Sequence, residues 1–319
     1  MKIIPLSIPT PFYIGDVNVY LIKEDPLTLI DVGPKTVEAE TVLREKLNRH
    51  GVKFSDIKRI LLTHAHEDHC GLVKKVRDEA NDAQIFVHEW ESGHLFSDSN
   101  DAEIDNLIIR AGVPETVLDS LRKIYRTASG FSDSLNKNEF SNLKENAEIE
   151  FASGVLKVLH TPGHTPGSCC FLREANRTLI AGDTILKRIT PNPLLAPDPF
   201  DKTKRFPSLG EYLVSLAKIK SYAPTLVYGG HFDPIDDFDE IFHRYIRSID
   251  DRQRKIIALI SNVGATAFEI AGKLFPAAIN QDFHRFLAVS ETVAHLDYAE
   301  SENKIAVEYK DGAEFYRQI

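Results

Sequence analysis

The sequence predicts an α/β protein in which two strand-rich halves pack as a sandwich with helices on the outside. Short runs of aliphatic and β-branched residues recur in both halves, and segments with helical spacing lie between them. In each half an apolar strand runs directly into a histidine motif, which suggests an internally duplicated arrangement. We place a larger domain at residues 1–235 and a smaller, helical one at 236–319.

The first half is a series of strands with two helices among them. Glu24-Asp25-Pro26 is a turn signal between the first two strands, and the apolar strand before His64 is expected to be buried. In chain order we predict strands at 16–23 and 27–31, a helix at 36–50, a strand at 59–63, a helix at 71–80 and a strand at 84–88.

An insertion follows at about 97–146, with helices at 102–111 and 114–127 and then a polar run. An insertion of this length between two strand-rich halves is expected to form a lid or a substrate wall.

The second half returns to strands and is followed by a helical tail. The predicted strands lie at 154–159, 168–172, 178–181 and 225–228, with a proline-rich loop at 191–207 and a helix at 209–222. The tail contains predicted helices at 238–262, 266–275 and 282–299 and strands at 304–309 and 313–316. Thr266-x-x-Glu269 fits a capping box, and Lys310-Asp311-Gly312 fits a hairpin turn. Three helices and a hairpin match the outline of a winged helix.

Composition and charge are those of an ordinary soluble protein. The formal net charge of -9 gives no global attraction for phosphate backbones, although a local basic face could still act alone. Cys70, Cys169 and Cys170 are too few and too badly placed for a disulfide framework, which indicates a reducing compartment. The first residues do not resemble a signal peptide, and no apolar run approaches the ~20 residues of a membrane span. We therefore expect a cytoplasmic protein with no membrane partner.

A dense set of metal ligands follows the strand at 59–63. His64, His66, Asp68 and His69 fall within six positions, and imidazole and carboxylate are the nitrogen and oxygen ligands of zinc. A loop at a strand end lets such neighbours converge, whereas a regular helix would point positions i and i+2 apart.

Three later strand ends supply further ligand types. His160 is followed by Thr161-Pro162-Gly163, Asp183 follows a glycine, and His231 follows two glycines. Glycine allows the backbone to approach closely, so these side chains can join the first cluster.

Together these motifs resemble the metallo-β-lactamase superfamily, especially its glyoxalase II-like hydrolases. The resemblance covers about residues 31–231 and implies a four-layer αβ/βα sandwich with two divalent metal ions, zinc first, iron or manganese as alternatives. It implies the following ligands: His64, His66 and His160 for the first ion, Asp68, His69 and His231 for the second, and Asp183 as a bridge. Asp31 matches an early aspartate of the family and is expected to support a ligand.

Other candidates are interpreted as structural. His164 lies four residues after His160 and is expected to support the site without binding a metal. Cys70 is interpreted as a packing residue, and His88 as an ordinary surface histidine.

The predicted chemistry is hydrolysis. Zinc lowers the pKa of a bound water to about 7, and the resulting hydroxide attacks a carbonyl or phosphoryl centre. We expect Asp68 to orient this nucleophile and to relay its proton. The substrate expected first is a small ester, thioester or similar acyl compound.

Two alternatives stay open. A metal-dependent endoribonuclease is suggested by the basic segment at 243–255, since the tail is similar to that of a subgroup with RNA-cleaving members. A mononuclear iron oxygenase would need two histidines and a carboxylate. The superfamily also has a reductase branch that carries out redox chemistry at iron. That branch usually has Glu at the position of His66, so His66 argues against it.

Overall fold

The computed structural model describes residues 1–80, 83–91, 95, 101–136 and 138–319, and of residues 101, 102 and 125 it describes the backbone alone. Residues 97–100 and 137 of the predicted insertion therefore lie outside the described residues. In these ranges no helix is both long and apolar enough to cross a membrane.

The first sheet contains the strands of the N-terminal half. They follow one another in space as in sequence: β1 (Ile3–Ile8), β2 (Val17–Ile22), β3 (Thr28–Ile30), β4 (Arg59–Leu61), β5 (Gln84–His88) and β6 (Ser141–Leu143). The first three strands are antiparallel, and β3 to β6 are parallel. Because β4 and β5 are parallel neighbours, the histidine motif and His88 leave the sheet at the same edge.

The second sheet contains β7 (Glu148–Phe151), β8 (Gly154–His160), β9 (Cys169–Arg173), β10 (Thr178–Gly182) and β11 (Leu226–Gly229). The spatial order runs from β11 to β7, antiparallel except for the parallel pair β10 and β11. Asp183 and His231 follow the carboxyl ends of that parallel pair, so both emerge side by side.

The helices lie between and after the strands. They are α1 (Val37–Arg49), α2 (Glu67–Cys70), α3 (Val73–Glu79), α4 (Asp101–Arg110), α5 (Glu115–Ser129), α6 (Ser208–Ser221), α7 (Phe238–Leu259), α8 (Ala267–Leu274) and α9 (Asp282–Ser301). Thr266 and Glu269 form the predicted capping box at the start of α8. The terminal hairpin is confirmed as β12 (Ile305–Lys310) and β13 (Ala313–Gln318).

Strand alternation produces the predicted layers. Ile30 and Leu61 of the first sheet share a core with Val158 and Cys169 of the second, so the two sheets face each other. On the outer face of the first sheet, alternate residues pack against α1 and α3, and on that of the second sheet they pack against α6 and α7. Cys169 and Cys170 lie in different cores, as adjacent strand residues must. The α/β sandwich is thereby confirmed.

The tail and the insertion share one further core. Leu107 and Leu121 of α4 and α5 pack with Ile256, Ile270 and Leu296 of the C-terminal helices. Tyr316 of the hairpin lies in the same core and pairs with Ala265 in an isolated bridge. The boundary at 235/236 stays a prediction, and this core spans it.

Candidate metal centre

Loops at one edge of the sandwich, together with the one-turn helix α2 that carries Asp68 and His69, bring most of the predicted ligands together. Three groups of side chains each place their ligand atoms within 4.8 Å of one another: His64, His66 and His164; His64, His69 and Asp183; and Asp68, His69 and His231. The groups share His64 and His69 and therefore form one continuous cluster. Asp183 lies between them, with Oδ1 3.4 Å from His69 Nε2 and Oδ2 3.6 Å from His231 Nε2.

Hydrogen bonds behind the cluster orient its histidines. His69 Nδ1 donates to Asp31 Oδ2 at 2.8 Å, and His231 Nδ1 donates to the Asp16 carbonyl at 2.8 Å. His164 Nδ1 donates to the Asn192 carbonyl at 3.0 Å. Because each acceptor takes a proton from Nδ1, each Nε2 keeps its lone pair for the cluster.

Asp31 supports the cluster at two points. Besides His69, its carboxylate accepts from the backbone N–H and the hydroxyl of Thr63, both at 2.8 Å. The Thr63 hydroxyl thus has its lone pairs free for His64 Nδ1 at 3.0 Å. This geometry agrees with the supporting role that the family resemblance implied for Asp31.

Several ligand atoms have no partner in the described protein. His69 Nε2, His231 Nε2 and Asp183 Oδ1 are buried and make no hydrogen bond. Leaving a buried polar atom unpaired costs about 1–3 kcal/mol, more if charged, so three in one place indicate a missing partner. A divalent cation fits, because lone pairs and a carboxylate converge where no donor is available.

The electrostatics fit the same conclusion. Burial opposes charge on His69, yet Asp183, Asp68 and Asp31 raise its pKa well above the usual value. Burial likewise opposes charge on Asp183, but His231 and His69 hold its pKa well below the usual range. Around the other group, burial and the neighbouring His164 lower the pKa of His66 to about 3. The carboxylates therefore attract positive charge, which a metal ion would supply in place of protons.

His160 is not part of the cluster, and its assignment to the first ion is corrected to His164. His160 still pairs with Cys169 in the β-ladder, so it has not yet left the sheet. Its Nε2 donates to the Pro166 carbonyl at 2.9 Å and has no lone pair to offer. The ring stacks on His88 with centroids 3.9 Å apart. His164, beyond the turn, places its Nε2 3.0 Å from His66 Nδ1.

Two other interpretations can be compared with the structure. His88, expected at the surface, is buried against His160, because β5 ends beside β8 at the loop edge. Cys70 is buried in the first core, and its thiol donates to the Ala65 carbonyl at 3.3 Å. The packing interpretation of Cys70 is confirmed.

Glycine permits the close approach around Asp183. A Cβ atom on Gly230 would lie 2.2 Å from Asp183 Oδ1 and 2.7 Å from His69 Cε1. Gly182 has φ of +48°, and a Cβ there would lie 2.6 Å from the Thr63 hydroxyl oxygen. The cluster therefore requires glycine at both strand exits.

The proline-rich loop lines a cavity of about 210 Å³ together with residues of α6, α7 and α9. Asn192 holds His164 through its carbonyl, while its side-chain amide donates to the Leu287 carbonyl of α9 at 3.0 Å. The loop thus links the C-terminal helices to a ligand. Sequence reasoning missed this support because a backbone carbonyl leaves no residue signature.

Comparison with known proteins agrees with this geometry. The family model described as the metallo-beta-lactamase superfamily matches residues 13–231. A probable metallo-hydrolase, YqjP of Bacillus subtilis, is 32% identical over 99% of this chain and 98% of its own.

Solved structures show the same fold over nearly the whole chain. The metallo-beta-lactamase family protein TTHA1429 of Thermus thermophilus has a TM-score of 0.85 at 29% identity, covering 99% of this chain and 98% of its own. A beta-lactamase domain protein of Burkholderia ambifaria has a TM-score of 0.82 at 22% identity, over 99% and 92%. The chain belongs to the metallo-β-lactamase superfamily.

Proposed function

We propose that this metal-dependent hydrolase splits esters, thioesters or similar small acyl compounds at a pair of divalent metal ions, zinc first. The observation that carries the proposal is the set of buried, unpartnered ligand atoms on His69, His231 and Asp183. His64, His66 and His164 would hold one ion and Asp68, His69 and His231 the other, with Asp183 between them. When bound, such ions lower the pKa of a water to about 7 and polarise a carbonyl.

Asp68 is the residue to which we assign proton transfer. One of its oxygens lies 3.3 Å from His231 Nε2, and the other lies 3.9 Å from His69 Nε2. Burial opposes its charge, but His69 and His231 lower its pKa, so the carboxylate stays ionised at neutral pH. An ionised carboxylate beside these histidines can accept and return a proton.

Replacement of Asp68 by Ala tests this role. We expect turnover of an acyl substrate to fall by about 10²–10⁴-fold, well beyond any loss of bound metal. Turnover and metal content are measured on the same zinc-loaded sample, with Asp239→Ala, an exposed aspartate paired with Lys220, as control. Unchanged turnover per bound metal pair would refute the assignment.

A substrate panel tests the reaction class. p-Nitrophenyl acetate, an acetyl thioester, a lactone, bis-p-nitrophenyl phosphate and RNA are offered with zinc, manganese or iron. We expect acyl hydrolysis that a chelator abolishes and added metal restores. Preference for the phosphodiester, or activity that survives the chelator without metal, would contradict the proposal.

The endoribonuclease alternative has weaker support. The winged-helix-like interpretation of the tail rests on its helices, its hairpin and the Ala265–Tyr316 bridge. Yet arginines of α7 are already engaged: Arg252 pairs with Glu291, Arg254 with Asp251, and Arg244 donates to the Lys187 carbonyl. Paired arginines attract phosphates less, so we expect no salt-dependent RNA binding in a mobility-shift assay.

A further inference from the structure

Glu91 lies behind the cluster, outside the residues assigned so far. It follows β5 in a short helical turn, and only 1% of its surface is exposed. A glutamate buried to this degree normally has a specific partner. Its partners here are backbone groups of the two loops that carry the first ligand group.

The two carboxylate oxygens bind one loop each. Oε2 accepts from the N–H of Ala65, the residue between His64 and His66, at 2.9 Å. Oε1 accepts from the N–H of Gly167, three residues after His164, at 2.7 Å. The carboxylate therefore connects the loop of two ligands to the loop of the third.

Glu91 packs so closely against Gly167 that no side chain fits there. A Cβ atom on Gly167 would lie 2.7 Å from Glu91 Cγ and 2.9 Å from Glu91 Oε1. A carboxylate suits this place because it accepts at both oxygens, and ionised acceptors form stronger hydrogen bonds than neutral ones. A glutamine amide has a single oxygen, so it could accept from only one of the two N–H groups. Its NH2 group would then face the other N–H group, donor against donor.

We propose that Glu91 is a positioning residue that holds His64, His66 and His164 at the spacing a metal ion needs. It contacts none of the second group, Asp68, His69 and His231, in the described structure, so its effect should be selective for the first ion. The first group consists of histidines alone, and Glu91 supplies a nearby negative charge. The inference rests on the proposed metal centre.

The test compares the full-length wild type with Glu91→Gln, and uses Glu314→Gln as the matched control. Glu314 of the terminal hairpin is 5% exposed and accepts from Arg110, Arg205 and Tyr316, none of which is a proposed metal ligand. Because Glu91→Gln and Glu314→Gln make the same change at similar burial, comparing them separates a loss of ligand positioning from a general loss of stability. Metal stoichiometry is read by native mass spectrometry, affinity by chelator competition with zinc, and folding by thermal denaturation.

We expect Glu91→Gln to bind the first ion about 10- to 100-fold more weakly and to keep the second. Its one-ion form, loaded with Co²⁺, should match the spectrum of His164→Ala. Glu314→Gln should lower the melting temperature and keep both ions. If Glu91→Gln does not fold, Glu91→Asp, which is shorter but keeps the charge, is compared in the same way.

The outcomes separate the two proposals. A wild type that binds no metal would overturn the proposed function. A wild type with two ions, together with Glu91 variants whose affinities stay within about twofold, would overturn the positioning role alone. Equal loss of both ions from the Glu91 and Glu314 variants would also overturn it, since the effect would then be general.

Discussion

At the scale of single residues, position relative to the end of a β-ladder decides which of two histidines can join the cluster. His164 lies beyond the turn, donates from Nδ1 and brings Nε2 to His66, whereas His160 stays in the ladder and stacks on His88. Sequence spacing cannot separate two histidines four positions apart, because it does not report where the β-ladder ends. The ladder ends at His160, and the chain must turn before it reaches the cluster.

Replacing each histidine by alanine tests this distinction. We expect His164→Ala to lose the first ion, because two histidines remain in its group. His160→Ala should keep two ions, with a moderate loss of stability from the missing ring contacts. Zinc content after dialysis measures both; a metal-free His160→Ala beside a fully loaded His164→Ala would reverse the assignment.

At the scale of elements, strand ends place the ligands. Runs of apolar residues predicted strands β4, β10 and β11, because buried strands have a strong sequence signal. The ligand motifs were found directly after these runs. β1, β6 and β7 were not predicted: Pro5 interrupts β1, Ser141 and Asn142 make β6 polar, and β7 carries Glu148 and Glu150. All three are edge strands, where proline and polar residues are tolerated.

The exit of β11 can be tested through Gly230. We expect Gly230→Ala to reduce metal binding strongly, because its methyl group would overlap Asp183 and His69. Gly210→Ala in α6 is the control, since its Cβ would meet nothing closer than Tyr298 at 3.9 Å and alanine favours the helix. Chelator competition measures the effect; equal zinc affinity in the two variants would contradict it.

At the scale of the whole molecule, buried polar groups join elements far apart in sequence. Arg205 of the proline-rich loop pairs with Asp297 of α9 and Glu314 of the hairpin, and Glu314 also pairs with Arg110 of α4. In the same region, His295 of α9 lies 2.6 Å from the side-chain oxygen of Gln253 in α7. These contacts could not be predicted from the sequence, because the partners lie 42 to 204 positions apart and no local pattern identifies them.

His295 should make the fold sensitive to acid. Burial and the charge of Arg252 lower its pKa to about 3. Below the unfolded pKa of about 6.5, the unfolded chain takes up a proton that the folded chain refuses, so stability falls as the pH decreases toward 3. From pH 7.5 to 5 we expect this residue to remove about 2 kcal/mol. Denaturant unfolding of wild type and His295→Gln measures it; equal pH dependence in both would contradict the role.

The core that α4 and α5 share with the C-terminal helices has a consequence for synthesis. The apolar face of α4 and α5 leaves the ribosome well over a hundred residues before its covering residues, such as Ile256 and Leu296. During that interval the nascent chain exposes an apolar surface, because the residues that will cover it have not yet been synthesised. This core can therefore be completed only after the C-terminal helices have been synthesised, and a polypeptide that stalls before then would be prone to aggregate.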